Sequence, residues 1–505
     1  MDKIAGRSLA WLWIAFFAIV GSTLVSPGPV VAQQADAQSL AERTSRIENG
    51  LIPASVIKGQ PVPAFSIADR MRHFRVPGLS AAFIDHGRVV WARAYGYADI
   101  ASGRLVTTNT IFQAASISKP LTAMAAMRLV QRGQLQLDND VNSALRTWKI
   151  PQNEFTRTQK VTLRELLSHT AGMTVHGFSG YTPGQPLPTL AEILDGRPPA
   201  NSDPIRVDAT PGTAYSYSGG GYVVIRTLLS DVTGLPFPAL MQQLVLEPLG
   251  MSHSTFEQPL PQALQSSAAT AYQSDGQPFD GRFNTYPELG PDGLWSTPSD
   301  LAKFAIAVQN ALAGRPNTIL LQSTAQTMLK QQMAGYALGF KVGSDDGRDY
   351  FDHDGSNFGF FSEMFAFSGA GSQGVVVMTN GNNINLKTEF IRAVAREYHW
   401  PGFDPQEHVL ASNVSGEDLA SCAGAYDAPD VGRIVVSDTS NRLFLDAPGM
   451  RIESEEMFPE SATRFFIQTS TSAFIFNKDA SGNVTSLTIQ QRNGSIEAKK
   501  QTPAR

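Results

Sequence analysis

Strand-forming segments lie at both ends of the first 400 residues, and this placement constrains the fold more than any other feature. Leu79 to Ile84 and Val89 to Tyr97 are rich in β-branched and aromatic residues, and the turn-forming segment between them predicts a hairpin. Similar strand segments return late in the chain, at 336–342, 350–353, 360–367 and 374–379. The residues between 134 and 332 are predicted to form helices and loops.

Because a sheet buries its faces against helices, the early and late strands are predicted to join in one antiparallel sheet. The predicted fold class is therefore α/β, an antiparallel sheet flanked by helices, with a helical lobe from the middle of the chain and a cleft between the two. We assign residues 61–405 to this domain. Short apolar runs separated by turns then predict a small all-β C-terminal domain over residues 416–505.

The N-terminus has the pattern of an export signal over residues 1–32. Lys3 and Arg7 precede an apolar stretch, and the small residue Ala32 ends the segment, so we expect cleavage after it. The alternative is an uncleaved membrane anchor. In both cases the rest of the chain lies outside the cytoplasm, periplasmic or secreted, with no membrane contact after cleavage. Residues 33–60 are interpreted as a polar N-terminal extension.

Composition excludes several classes of partner and cofactor. The 40 basic and 45 acidic residues give a net charge of −5, and no segment has the dense Lys/Arg cluster of a nucleic-acid surface. Cys422 is the only cysteine, so no internal disulfide can form. The eight histidines show no paired metal-ligand spacing. We therefore expect no nucleic-acid partner, no metal and no cofactor.

A serine and a lysine three residues apart open a predicted helix at Ser116 and Lys119, with Gly133 beyond its end. On one helix face, the amine can take the hydroxyl proton as the oxygen attacks a carbonyl. Ser55 and Lys58 have the same spacing, but Gly59 and Pro61 interrupt any helix there, so we interpret that pair as inert.

Several ordered motifs resemble those of the class C β-lactamase-related serine hydrolases, of the penicillin-binding protein and β-lactamase type. They are FQAASISK at 112–119, LLSHTAGM at 166–173, PGTAYSYSGGGY at 211–222, GLWST at 293–297 and HDGS at 353–356. The resemblance covers about residues 65 to 400 and implies a β-lactamase-like fold and a covalent acyl-enzyme. The C-terminal segment resembles the small lipocalin-like β-domain appended to some members.

The resemblance implies a role for each matching residue. Ser116 is the nucleophile, Lys119 its base, and Tyr217 the phenol that shuttles the proton to and from the leaving group. The backbone N–H groups of Ser116 and Ser356 form the oxyanion hole. Tyr215 is the alternative to Tyr217. Ser116 could instead only cap its helix, and Lys119 could be a solvated lysine.

Gly219, His353 and Gly355 complete the predicted substrate-binding set. His353 is either substrate-facing, or a buried histidine that donates to a backbone carbonyl. His169 is interpreted as structural. Gly219 stands where many β-lactamases have Asn, and His353 where they have Lys. Both departures put efficient β-lactam turnover in doubt.

The resulting prediction is an exported serine hydrolase that acts through a Ser116 acyl-enzyme on small-molecule esters, peptides or amides. The alternatives are a D-amino-acid peptidase or a β-lactamase. A further alternative, from another class, is a catalytically silent protein that binds peptidoglycan peptides. The sequence makes no prediction of the oligomeric state.

Overall fold

The computed structural model describes residues 29–501, apart from 317, 370, 430, 451 and 492–493. Its α-helices are α1 (Pro29–Glu48), α2 (Ile67–His73), α3 (Ser118–Gln131), α4 (Leu163–Leu167), α5 (Leu190–Asp195), α6 (Gly219–Thr233), α7 (Phe237–Met241), α8 (Gln262–Gln265), α9 (Pro298–Leu312), α10 (Gln322–Leu329), α11 (Asn385–Glu397) and α12 (Gly416–Cys422). Its strands are β1 (Ser55–Ile57), β2 (Gly78–Asp85), β3 (Arg88–Asp99), β4 (Arg104–Leu105), β5 (Phe112–Gln113), β6 (Trp295–Ser296), β7 (Lys341–Asp345), β8 (Arg348–Asn357), β9 (Phe360–Phe367), β10 (Gly374–Thr379), β11 (Gln406–His408), β12 (Gly424–Ala428), β13 (Gly432–Asp438), β14 (Leu443–Ala447), β15 (Ile452–Pro459), β16 (Arg464–Phe466), β17 (Ala473–Lys478), β18 (Val484–Gln491) and β19 (Gly494–Lys500).

A seven-stranded antiparallel sheet unites the two ends of the main domain, in the order β4-β3-β2-β10-β9-β8-β7. The early hairpin β2–β3 joins the late strands through β10, with Ala81 opposite Val377. The predicted antiparallel sheet is therefore confirmed. One boundary differs: the segment predicted to form a strand from Tyr336 begins only at Lys341, because Tyr336 closes a turn on Met333.

Helices cover both faces of this sheet. Val376 and Met378 of β10 belong to the large core that also includes residues of α9 and of the helical middle of the chain. Phe83 instead stacks on Tyr398, and Phe365 packs against Trp400; Tyr398 and Trp400 follow α11. Because side chains alternate along a strand, these two sets mark opposite faces of the sheet. The predicted flanking helices are confirmed.

The middle of the chain forms the predicted helical lobe, from α3 to α8. The helix α3 packs against α6, and the turn that precedes α3 packs against β8 and β9 at the edge of the sheet. Within the described residues, no single helix is long and apolar enough to cross a membrane. Residues Gly219–Thr233 and Phe237–Leu246 pass that test only as a pair, bent by 81°.

The C-terminal part is a closed barrel of eight antiparallel strands, from β12 to β19. Its interior is packed with buried side chains: Tyr426, Ile434, Val436, Leu443, Leu445, Phe465, Phe474, Phe476, Leu487 and Ile489. The predicted all-β C-terminal domain is confirmed. Cys422, at the end of α12, is buried.

The N-terminal predictions have a different outcome. Most of the predicted signal peptide, residues 1–28 of 1–32, lies outside the described residues. The predicted extension at 33–60 contains most of α1 and the strand β1, which pairs in parallel with β11. Residues 47–505 cluster as one compact unit that holds both the sheet and the barrel. The domain boundaries at 405 and 416 stay predictions.

Candidate active site

A tight turn presents Ser116 at the start of α3. Ala115, Ser116 and Ile117 form a 3₁₀ turn, and Ala115 has φ of +50° although it is not glycine. Such backbone strain is uncommon and is retained where the surroundings hold it in place. The Ser118 hydroxyl donates to the Ala115 carbonyl at 2.6 Å, and Ala115 is fully buried. The turn therefore fixes Ser116, which is partly exposed.

Lys119 lies beneath this turn and contacts the serine directly. Its Nζ is 2.9 Å from Ser116 Oγ and 3.1 Å from the Pro291 carbonyl oxygen. The lysine is only 1% exposed. Burial lowers the pKa of Lys119, and the nearby Asp292 carboxylate offsets part of that lowering. A lysine in this setting reaches its neutral, basic form at a lower pH than an exposed one.

The loop before β6 brings backbone and side-chain acceptors to the same place. It is tied to the helix α3 because Thr122 donates to the Gly290 carbonyl at 2.9 Å, and the Leu294 N–H donates to Ser118 Oγ at 3.0 Å. This loop places Asp292 Oδ1 3.1 Å from Ser116 Oγ. The sequence reasoning missed Asp292, although it directly precedes the recognised GLWST segment.

Tyr217 is the tyrosine that reaches the nucleophile. Its ring centre is 4.9 Å from Lys119 Nζ, and its hydroxyl lies near enough to Ser116 to interact with it. Burial raises the pKa of Tyr217 well above its usual value, so the phenol keeps its proton. Tyr217 also packs on His169, with ring centres 4.3 Å apart. Tyr215 lies farther from that ring, at 6.1 Å, and its ring centre is 5.7 Å from that of Tyr336.

His169 supports the segment that carries Tyr217. Its Nδ1 accepts a hydrogen bond from the Ser218 N–H at 3.0 Å, and its carbonyl accepts from the Ser216 N–H at 2.8 Å. Burial lowers the pKa of His169 well below its usual value, so the ring is neutral. These contacts agree with a structural role.

His353 is buried and held at both ring nitrogens. Its Nδ1 lies 2.6 Å from the Asp354 carbonyl, which can only accept, so Nδ1 carries the proton. Its Nε2 therefore accepts from the Tyr336 hydroxyl at 2.8 Å. Tyr336 in turn is 3.2 Å from His169 Nε2 and accepts from it. Burial lowers the pKa of His353 to about 3, so the ring is uncharged near neutral pH.

This arrangement favours one of the two interpretations of His353, the buried histidine that donates to a backbone carbonyl. The ring still lies near Tyr217, since the two ring centres are 6.4 Å apart. Tyr336, which fixes the ring through its hydroxyl, was missed because its position in a loop has no sequence signal.

Gly355 allows β8 to approach the Ser116 turn. A Cβ at Gly355 would stand 2.2 Å from the Ala114 carbonyl oxygen, closer than any real contact. The strand β7 pairs with β8 only as far as Asp352, so the following residues of β8 lie against the 3₁₀ turn instead. Ser356 belongs to this stretch and is exposed. Its N–H as an oxyanion donor stays a prediction.

Gly219 lies at the first turn of α6, two residues after Tyr217. A Cβ at Gly219 would stand 2.9 Å from the ring of Phe178 and 3.3 Å from the His176 carbonyl oxygen. Phe178 thus occupies the space into which a larger side chain at this position would extend. The site therefore brings Ser116, Lys119 and Tyr217 together, while Gly219 contributes no side-chain donor.

Comparisons with known proteins agree with this fold. The chain is 28% identical over 360 residues to an unguisins hydrolase from Aspergillus violaceofuscus, a match that covers 62% of this chain and only 60% of that protein. It is 26% identical to penicillin-binding protein 4 from Amycolatopsis lactamdurans, over 70% of this chain and 93% of that one. The solved structure of an octameric penicillin-binding protein homologue from Pyrococcus abyssi superposes with a TM-score of 0.59, 22% identity and coverage of 86% and 98%.

A family model supplies the assignment. The model described as Beta-lactamase matches residues 66–398, which include the Ser116 turn, the helical lobe and the sheet. The match contains the motifs on which the sequence resemblance rested. The chain therefore belongs to the Beta-lactamase family.

Proposed function

We propose that this protein is an exported serine hydrolase that forms a covalent acyl-enzyme at Ser116 with small-molecule esters, peptides or amides. One observation carries the proposal: the amine of a lysine that is 1% exposed lies 2.9 Å from Ser116 Oγ. Burial lowers the pKa of this lysine, so a fraction of it is neutral and can act as a base.

Acylation uses the residues around the turn. Neutral Lys119 takes the proton of Ser116 as Oγ bonds to the carbonyl carbon of the substrate. The backbone N–H groups of Ser116 and Ser356 are proposed to stabilise the oxyanion that forms. Tyr217 passes the proton to the leaving group as its bond to the carbon breaks. The high pKa of Tyr217 suits a group that must return to its protonated form.

The choice among substrates rests on what the cleft offers. A D-amino-acid peptidase or a β-lactamase would use the same acyl-enzyme. Gly219 has no side-chain amide, and His353 is uncharged near neutral pH, so neither group anchors a β-lactam strongly. Esters with a good leaving group need these anchors less. A silent peptide-binding protein is disfavoured, because such a protein has no need of Ser116, Lys119 and Tyr217 in mutual contact.

Covalent labelling tests the mechanism. A fluorophosphonate probe should add one label to the intact protein, and peptide mapping should place it on Ser116. The variant S116A should take no label, while S55A should be labelled like the wild type and serves as the matched control. A label on another residue, or none on the folded wild type, would reject the acyl-enzyme proposal.

Export is proposed from the pattern of residues 1–32. The full chain produced with its own N-terminus should be recovered outside the cytoplasm, with a mature N-terminus at Gln33. Intact mass measures that terminus. A membrane-bound product that retains residues 1–32 would favour the anchor instead.

A further inference from the structure

Asp292 is a carboxylate at the nucleophile to which the proposed mechanism gives no role. Its Oδ1 is 3.1 Å from Ser116 Oγ and 3.4 Å from Lys119 Nζ, and its side chain is 7% exposed. Both contacts use Oδ1. Within the described residues, no protein group donates a hydrogen bond to Oδ2, which is not fully enclosed. Asp292 therefore has acceptor capacity left over, directly beside Ser116.

The loss of the Ser116 proton during acylation indicates how the free acceptor of Asp292 could be used. In the free enzyme the Ser116 hydroxyl can donate to Asp292 Oδ1. Acylation removes that proton, so Oδ1 loses a donor while the carboxylate stays within its contact to Lys119. A carboxylate with little exposure favours a new hydrogen-bond donor in place of the one it has lost. Water is the smallest such donor. A water bound to Asp292 would lie next to the acyl carbon, because that carbon is bonded to Oγ, which is 3.1 Å from Oδ1.

We propose that Asp292 is the general base of deacylation, a further catalytic residue of this site; the inference rests on the acyl-enzyme proposed above. Water bonds through its oxygen to the acyl carbon and gives one proton to the Asp292 carboxylate. The tetrahedral intermediate then collapses, the bond from carbon to Oγ breaks, and Asp292 returns the proton to Ser116 Oγ across their contact. The products are the free carboxylic acid and the regenerated hydroxyl, and the proton count balances.

Lys119 and Asp292 thus have separate steps. Lys119 takes the serine proton in acylation, because its amine is the base closest to Oγ. Asp292 takes the water proton in deacylation, because Oδ1 no longer accepts the Ser116 proton and lies 3.1 Å from the oxygen that carries the acyl group. This division predicts that a change at Asp292 affects one half-reaction and spares the other.

Pre-steady-state kinetics with a p-nitrophenyl ester test this division in the variant D292N. Asn keeps an oxygen and the size of the side chain but cannot accept a full proton. We expect a burst of about one equivalent of nitrophenol per enzyme, followed by turnover at least about a hundredfold slower than in the wild type. Intact mass should show the acyl group on Ser116 during the slow phase. D138N, at a surface pair with Arg164, removes the same charge and should behave like the wild type.

Acceleration of turnover by hydroxylamine is a second measurement, and damage to the fold would not produce it. Hydroxylamine attacks esters without a general base, so it should speed turnover of D292N several-fold more than turnover of the wild type. A variant with no burst, in which labelling of Ser116 and turnover fall together, would overturn the inference, and so would unchanged turnover. Failure of the underlying mechanism is distinct, because the wild type itself would then take no label at Ser116.

Discussion

Two segments of the chain carry a serine and a lysine three residues apart, and the structure gives them opposite settings. Ser116 opens a helix, and Lys119 is buried with its Nζ 2.9 Å from Ser116 Oγ. Ser55 lies in the strand β1, and Lys58 is exposed in the turn that follows. In a strand, residues three apart point to opposite faces. The spacing is therefore not enough, and the helical turn and the buried lysine make the reactive pair.

The hydroxyl of Ser55 has a structural use instead. It donates to the Ser470 carbonyl at 2.8 Å, and the His408 ring nitrogen lies 3.2 Å from it. The Ser55 N–H donates to the Gln468 carbonyl at 2.9 Å. These contacts join β1 to residues of the C-terminal barrel. The Ser55 hydroxyl therefore stabilises the fold, whereas the Ser116 hydroxyl is placed to react.

The largest expected effect comes from exchanging each serine for alanine. S116A should lower kcat/KM for an aryl ester on the order of 10⁴-fold or more, because no nucleophile remains. S55A should leave kcat/KM within about twofold of the wild type, since Ser55 has no contact with the cleft residues. Steady-state kinetics on both proteins measure this. Comparable losses in the two variants would break the comparison.

Substitution of the two lysines should also have different effects on kcat/KM, by a factor smaller than that for the serines. K119A removes the base and should lower kcat/KM by roughly 10² to 10⁴-fold. K119R should not restore it, because a guanidinium does not lose its proton at usable pH. K58A, at the exposed partner position, should have no effect. Activity of K119R near that of the wild type would show that the charge of Lys119 matters, and not its basicity.

The pH dependence of kcat/KM should also distinguish Lys119 from Lys58. Burial lowers the pKa of Lys119 from its ordinary 10.5, so the base form persists below the pH at which an exposed lysine is fully protonated. As pH falls through that lowered pKa, Lys119 gains a proton and kcat/KM should decline. K58A should not change the pH at which kcat/KM declines. A rate that increases only as pH approaches 10.5 would contradict the buried setting.

In stability, unlike in activity, the S55A substitution should have a larger effect than S116A. S55A leaves the Ser470 carbonyl without its donor and should lower the free energy of unfolding by about 1 to 3 kcal/mol. S116A should cost less than about 0.5 kcal/mol, because Lys119 keeps its contacts to the Pro291 carbonyl and to Asp292 when the hydroxyl is removed. Urea unfolding of both variants measures the difference. An S116A variant less stable than S55A would mean that Ser116 also holds the fold.

Sequence patterns predicted the sheet well because its strands are strongly apolar. Every residue of β10 is buried, and its sequence GVVVMT is apolar except for Thr379. The barrel strand β15, by contrast, has a weaker strand signal, because its sequence IESEEMFP contains three glutamates, of which Glu453 is exposed. A strand that buries one face leaves a weaker signal than one that buries two. The helix α1 was missed for a similar reason, since its sequence is mostly polar.

Site residues that belong to sequence motifs were predictable, whereas those that come from loops were not. Ser116, Lys119 and Tyr217 belong to contiguous motifs, and the structure places them in contact. Asp292 and Tyr336 reach the site from loops that are distant in sequence. Their neighbourhood depends on the tertiary fold, which no local spacing encodes.

The smallest expected effect concerns what the Ser116 cleft offers beyond its nucleophile and base. A lost hydrogen bond from the missing amide at Gly219 is worth about 0.5 to 1.5 kcal/mol, and an uncharged His353 attracts a β-lactam carboxylate less than a lysine would. An aryl ester needs neither anchor as strongly, and its phenoxide leaves readily. We therefore expect kcat/KM for short-chain aryl esters to exceed that for a cephalosporin by at least about tenfold, or about 1.4 kcal/mol. Because Phe178 fills the space beside Gly219, the double variant G219N/F178A should narrow the ratio, and F178A alone is the matched control. A cephalosporin preferred by the wild type would show that Gly219 and His353 do not determine the substrate.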